Sequence, residues 1–149
     1  MEITKVESKD VRAIEELVKQ VSEIDVIPAF NEQGQTEYRE RVLTDIHTTF
    51  DEDRFTTLKL VVSNNIVGFG ALREGNYLTH LFVSKELQGK GAGKRLLNAL
   101  LDSTVSDHID LRSSINAVDF YRGHGFEVTG DESEFNGIRF VPMRLSRFM

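Results

Sequence analysis

No cysteine occurs in the 149 residues, which excludes disulfide scaffolds, thiolate metal sites and cysteine nucleophiles. Prolines number only two, Pro28 and Pro142, and no Gly/Ser-rich or low-complexity stretch marks a linker. One domain spanning residues 1–149 is therefore expected. No apolar run approaches the roughly 20 residues of a membrane span. The opening Met1-Glu2-Ile3-Thr4-Lys5 lacks the apolar core of a signal peptide, so a cytoplasmic monomer or small oligomer is expected. Positive charge is also short, with 18 Lys and Arg against 24 Asp and Glu for a net charge of −6. Nucleic acid needs a basic face and is not expected as a partner. No group of His and carboxylates has metal-ligand spacing, so no metal is expected. What is present is a hydrophobic fraction of 40% and a charged fraction of 28%, the balance of a globular domain. A chain of this length buries about 68–70% of the surface it exposes unfolded, enough for a substantial core.

The apolar spacing changes period along the chain. Residues 3–6 read as a strand, with Ser8 and Asp10 as candidate caps of a following helix. Val11, Ile14, Leu17, Val18 and Val21 recur at helical spacing and predict an amphipathic helix over 10–23. Thr36 is expected to cap a second helix that aligns Tyr38, Val42, Ile46 and Phe50. Residues 58–62 and 66–72 form a hairpin around Asn64-Asn65, and a turn at Glu74-Gly75-Asn76 leads to a third strand over 77–83. Leu96, Leu97, Leu100, Leu101 and Val105 then predict a helix over 91–105. Strands over 109–111, 126–129 and 138–145 and a short helix over 117–122 complete the pattern. A meander followed by a strand–helix–strand crossover implies an α/β domain: a mixed, mostly antiparallel sheet of six to seven strands with about four flanking helices.

The segment Gln88-Gly89-Lys90-Gly91-Ala92-Gly93-Lys94 sits between a strand and a leucine-rich helix. Three glycines entering a helix leave backbone N–H groups unpaired at the positive end of its dipole, where an anion can approach closely. Lys90, Lys94 and Arg95 add positive charge, and a phosphate or pyrophosphate is the direct physical reading. A Walker loop is excluded, because Gly89 to Gly93 is one residue short and Arg95 replaces the hydroxyl that binds magnesium. A dinucleotide fingerprint is excluded because Leu96 occupies its third glycine position. The pattern [Q/R]-x-x-G-x-[G/A] remains, satisfied by Gln88, Gly91 and Gly93.

That pattern resembles the acyl-CoA pyrophosphate loop of the GNAT superfamily of N-acetyltransferases. The lead-in Leu81-Phe82-Val83-Ser84 is similar to the family's. So is the downstream segment Asn116-Ala117-Val118-Asp119-Phe120-Tyr121-Arg122-Gly123-His124-Gly125-Phe126. The resemblance implies a GNAT fold that splits after its fourth strand and acetyl-CoA as cosubstrate. It also implies direct transfer of the acetyl group to a primary amine of a small molecule or peptide. On this resemblance the amides of Gln88, Gly89, Lys90, Gly91, Ala92, Gly93 and Lys94 hold the pyrophosphate. Backbone groups of Phe82 and Val83 hold pantetheine, one nearby strand N–H polarises the thioester carbonyl, and Asn116 contacts the pantetheine arm. Tyr121 acts as the acid that protonates the departing thiolate. The family also forms dimers, for which the strand within residues 139–147 is a candidate edge.

Several residues have a plainer reading beside the functional one. Asn116 is placed to cap the short helix, with Asp119 three residues on. His47, His108 and His124 read as solvated. The general base is open: strict alternation puts Leu78, His80 and Phe82 on one face of their strand, and one bulge would re-aim His80. Tyr77, Glu74 and a water chain are alternatives to His80. Residues 23–54 carry nine acidic and three basic side chains, an excess equal to the net charge of the whole chain. Such a wall would attract a cationic amine, although a solvated acidic face is the plainer reading. A catalytically silent acyl-CoA sensor or interaction module is the alternative to an enzyme.

Overall fold

The computed structural model describes residues 1–148, in which helices and strands alternate as the spacing predicts. Strand β1 (Glu2–Lys5) leads through a short 3-10 turn into α1 (Val11–Asp25). The buried residues of α1 are Ile14, Leu17, Val18, Val21 and Ser22, so the predicted stripe is the packing face. The second helical region starts earlier than expected. Asn31, not Thr36, caps α2 (Glu32–Glu37) by accepting a hydrogen bond from the Gly34 N–H at 2.9 Å. From there the chain passes through a π turn at Tyr38–Val42 into 3-10 helix at Leu43–Phe50. The hydroxyls of Thr44, Thr48 and Thr49 donate to carbonyls three or four residues back, which competes with the α-helical ladder.

Strands β2 (Phe55–Val62), β3 (Asn65–Arg73) and β4 (Tyr77–Val83) form the meander. The first hairpin turns at Ser63-Asn64, one residue earlier than read, and both residues have positive φ as a primed two-residue turn demands. Helix α3 (Ala92–Asp102), β5 (His108–Ser113) and α4 (Val118–Arg122) follow, then β6 (Glu127–Val128), β7 (Ser133–Phe135) and β8 (Ile138–Ser146). Strand β7 falls between the strands expected over 126–129 and 138–145 and raises the count to eight. It pairs with β8 across the Asn136-Gly137 turn.

The sheet runs β1-β2-β3-β4-β5-β8-β6, with β7 beside β8, and every pairing is antiparallel except β4 with β5. Strand β8 pairs with β5 along Val141–Ser146, with β6 at Met143 and Arg144 and with β7 at Ile138–Phe140, so it lies within the sheet and not at its exposed edge. Helix α1 and the 3-10 segment cover one face through Ile14, Leu17, Val18, Val21, Ile46, Phe69 and Ala71. Helices α3 and α4 cover the other through Leu72, Leu78, Leu97, Leu100, Ile109, Leu111 and Tyr121. Each such side chain fully buried contributes about 1.5–3 kcal/mol.

Helix α3 is shorter than its apolar stripe. It stops at Asp102, and Val105 lies outside the core at 92% exposure. The Arg147 guanidinium donates to the carbonyls of Leu101, Thr104 and Ser106, satisfying the end of the helix and turning the chain away. Among the described residues no helix is long and apolar enough to cross a membrane.

Candidate active site

The parallel pairing of β4 with β5 covers two positions, Tyr77 with Asp110 and Leu78 with Leu111. Beyond them the strands separate, and from Thr79 to Val83 the edge of β4 that faces β5 meets a gap instead of a neighbouring strand. A bulge starts the separation: Leu72 opposes Leu78, whereas Ala71 opposes His80, so Thr79 is the extra residue. The bulge overturns the strict alternation. Leu78 joins Leu81 and Val83 on the α3 side, and His80 and Phe82 remain on the α1 side.

His80 is half-buried, with its ring 5.5 Å from that of Phe69 and 6.2 Å from that of Phe82. Its Nδ1 lies 2.8 Å from Thr79 Oγ1. Burial pushes its pKa down to about 4, so the imidazole is neutral at physiological pH. Tyr121 lies across the sheet from it, on α4. Its ring packs edge-on against Phe120 and Phe126, and burial alone pushes the phenol pKa up. Tyr121 and His80 thus sit on opposite faces of the fork.

The glycine loop leads from the end of β4 into α3. Gly91 occupies the cap position of α3 with φ +82, a conformation that strains any other residue, and no side chain caps the helix. Arg95 N–H closes the first turn on the Gly91 carbonyl at 3.1 Å. The N–H groups of Ala92, Gly93 and Lys94 precede any intrahelical bond. Gln88 and Lys90 differ, since their amides close turns onto the carbonyls of Lys85 and Leu87, each at 3.3 Å. Nothing lies within 4 Å of where a Cβ on Gly89 or Gly91 would project, so the backbone is open to a ligand from that side. Lys90, Lys94 and Arg95 are exposed around it and have no ion-pair partner among the described residues. An anion of phosphate type fits this arrangement.

Asp25, the last residue of α1, ties the site together and was not singled out by the sequence. Its carboxylate accepts from Lys85 Nζ at 2.9 Å and from Gln88 Nε2 at 3.0 Å. Its backbone carbonyl accepts from Asn116 Nδ2 at 2.9 Å. Gln88 Nε2 also donates to the Val83 carbonyl at 3.0 Å, so that carbonyl already has one partner. Asn116 is not the cap of α4. It lies in the preceding 3-10 turn, and Ala117 holds the cap position. The partners of Asp25 are 60, 63 and 91 residues away, so no local spacing could have revealed them.

Part of the acidic surplus of residues 23–54 lies away from this loop. Glu32, Glu37 and Glu40, with Gln33, Thr36 and Asn136, line a cavity of about 510 Å³ between α2 and the β7–β8 turn. Glu23 pairs with Arg39, and Glu37 with Arg41. His124, read as solvated, is half-buried with its ring 4.6 Å from that of Phe120.

Comparison with known proteins agrees with this fold. Residues 26–147 match the model of an acetyltransferase (GNAT) domain. The PaiA N-acetyltransferase of Thermoplasma acidophilum, solved in complex with coenzyme A, superposes with a TM-score of 0.74 at 20% identity over 98% of each chain. An aminoglycoside 6'-N-acetyltransferase from Enterococcus faecium gives 0.71 at 14% identity, over 98% of this chain and 97% of that one. A GNAT-family acetyltransferase from Staphylococcus aureus Mu50 gives 0.71 at 17% identity, over 97% and 98%. At these identities the likeness shows the fold. No curated protein matches the sequence.

Proposed function

The chain belongs to the GNAT acetyltransferase family and is an acyltransferase; from that premise we propose that it moves the acetyl group of acetyl-CoA directly onto a primary amine. One observation carries this reading: a forked β4/β5 pair runs into a glycine-led, uncapped helix N-terminus, with Tyr121 and His80 on opposite faces of the fork.

Bound acetyl-CoA supplies the activated thioester. The N–H groups of Gly91, Ala92, Gly93 and Lys94 and the side chains of Lys90, Lys94 and Arg95 bind its pyrophosphate. The open edge of β4 at Phe82 and Val83, together with Asn116, holds the pantetheine arm. A β4 N–H past the bulge donates to the thioester oxygen as negative charge grows there. Such a donor is typically worth about 2.7–4 kcal/mol, because it is fixed before the reaction begins. The amine nitrogen bonds to the acetyl carbon as the carbon–sulfur bond breaks, and Tyr121 gives its proton to the leaving sulfur. His80 takes the acceptor's proton, directly or through water. Burial keeps the imidazole unprotonated and also weakens it as a base, so it takes the proton as the amine nitrogen bonds to the acetyl carbon and becomes acidic. With no cysteine in the chain, no acyl-cysteine relay exists.

The test is thiol release from acetyl-CoA across polyamines, amino acids, aminoglycosides and short peptides, with calorimetric CoA binding on the same sample. Amine-dependent release establishes the transfer. Tight CoA binding without release by any amine would leave a sensor, and absence of binding would remove the glycine loop from the site.

A further inference from the structure

Resting on the acetyl-transfer reading above, we propose that the cleft beside the fork is an acceptor subsite in which Arg112 binds an oxyanion, a carboxylate or a phosphate, carried by the amine. The cleft has a volume of about 360 Å³, and its lining includes Tyr77, Asp110, Arg112, Thr129, Pro142 and Arg144. Its position is set by register. Tyr77 and Asp110 form one of the two β4–β5 pairs before the separation, and Arg112 is the first β5 residue beyond it. Ile109 and Leu111 point into the α3 core. Asp110 and Arg112 therefore face the opposite side of the sheet, as do Tyr77 and, through pairing with Asp110, Arg144. This is the His80 side, from which the fork can be approached without crossing α3.

The charges of the cleft are unequally satisfied. Asp110 is consumed by a two-pronged ion pair with Arg144, at 2.7 and 3.0 Å. Arg112 lies over the Phe140 ring at 4.5 Å and has no carboxylate partner among the described residues. Arg73, at 4.7 Å over the Tyr77 ring, is in the same state. Stacking fixes the plane of each guanidinium and leaves N–H edges to donate, the geometry that binds a planar carboxylate or a phosphate by two bonds. Burial holds the Tyr77 phenol above its ordinary pKa, so its hydroxyl stays a donor beside them. In a protein of net charge −6 the lining of this cleft carries Arg112 and Arg144 against Asp110, one positive charge in excess, beside the start of the fork. A polycationic acceptor meets unpaired guanidiniums there. A zwitterionic acceptor places its amine at the fork and its oxyanion on Arg112.

The experiment compares four acceptors of matched length with acetyl-CoA: an amino carboxylate, the corresponding aminoalkyl phosphate, the amino carboxamide and a diamine. The two oxyanion acceptors should show kcat/KM at least about tenfold above the other two. Arg112→Gln should raise their KM by about 10–100-fold and collapse that preference, and Arg112→Lys should restore part of it. Whichever oxyanion loses more in Arg112→Gln is the one the subsite is built for. CoA affinity, measured by calorimetry, should not change. Preference for the diamine or the amide, or an Arg112→Gln loss equal across all four acceptors, would overturn the subsite while acetyl transfer stands. CoA binding with no turnover of these four acceptors or of the wider amine panel above would overturn both.

Discussion

Replacing Tyr121 by Phe removes one oxygen from a ring whose packing against Phe120 and Phe126 stays in place. The hydroxyl has no hydrogen-bond partner among the described residues, and its shift in pKa comes from burial alone. The variant therefore orphans no buried group. Its folding free energy should stay within about 1 kcal/mol of the parent, or about 2–4 °C in Tm for a chain of this size. The catalytic cost is of a different order. A positioned general acid is worth about 10²–10⁴ in rate, which corresponds to about 2.7–5.4 kcal/mol of barrier. Three measurements on one preparation decide the matter: kcat for thiol release at saturating acetyl-CoA, CoA affinity by calorimetry, and Tm. The expected result is a fall in kcat of at least a hundredfold with CoA affinity and Tm nearly unchanged. Acyl thioesters with more acidic leaving thiols should narrow the gap, since their departure needs less protonation. Turnover and CoA affinity falling by the same factor, or turnover falling less than tenfold, would show that Tyr121 packs and does not protonate.

Three further outcomes follow from the same geometry. Gly91→Glu sends a carboxylate into the open side of the loop; at φ +82 it should cost about 1–2 kcal/mol of stability yet lower CoA affinity at least tenfold, and unchanged affinity in a folded variant would refute the pyrophosphate assignment. Gly34→Ala puts a methyl against the Gly137 carbonyl and within 2.9 Å of Phe30 Cβ. Overpacking costs about 1–3 kcal/mol, and the helix propensity of alanine returns at most about 1, so Tm should fall by several degrees; an unchanged Tm would mean that the β7–β8 turn does not rest on α2. The third concerns Asp10, whose carboxylate accepts from Lys59 Nζ at 2.7 Å and from the Glu7 N–H at 2.8 Å. Burial works against its charge, but these donors outweigh it and hold its pKa below the ordinary 3.8. A lowered folded pKa means the stabilisation is complete above the unfolded value and is lost as pH falls through the folded one. Acid denaturation followed by circular dichroism should therefore be shallower below pH 4 in Asp10→Asn than in the parent; identical acid limbs would show that the pair carries no pH dependence.

Features set by neighbours along the chain were legible in the sequence. The stripe of α1, the meander and the glycine loop all depend on residues within a few positions of one another. What escaped depends on contacts made after folding. Val105 continues the leucine spacing of α3, but Arg147, from more than forty residues downstream, ends the helix first. The second helical region keeps its apolar period while its threonine hydroxyls pull the backbone into 3-10 form. The bulge at Thr79 was foreseeable as an option but not in place, since it shows only in the register of β3 against β4. Within the site, Gln88 and Asn116 were visible through the family motifs they resemble, whereas the residue that holds both was not.

That residue, Asp25, acts on the site in two chemically different ways, and descent should treat them differently. Lys85 and Gln88 bind its carboxylate, so a change of side chain at position 25 removes a partner from both. Among descendants of this sequence, positions 25, 85 and 88 should be exchanged as a set. Asn116 binds only the backbone carbonyl of residue 25, which every amino acid possesses. Position 116 should be indifferent to which residue ends α1 and sensitive instead to insertions or deletions that shift where the helix ends. A lineage could thus rewrite the chemistry at the end of α1, provided that positions 85 and 88 change with it and the length of the helix is kept.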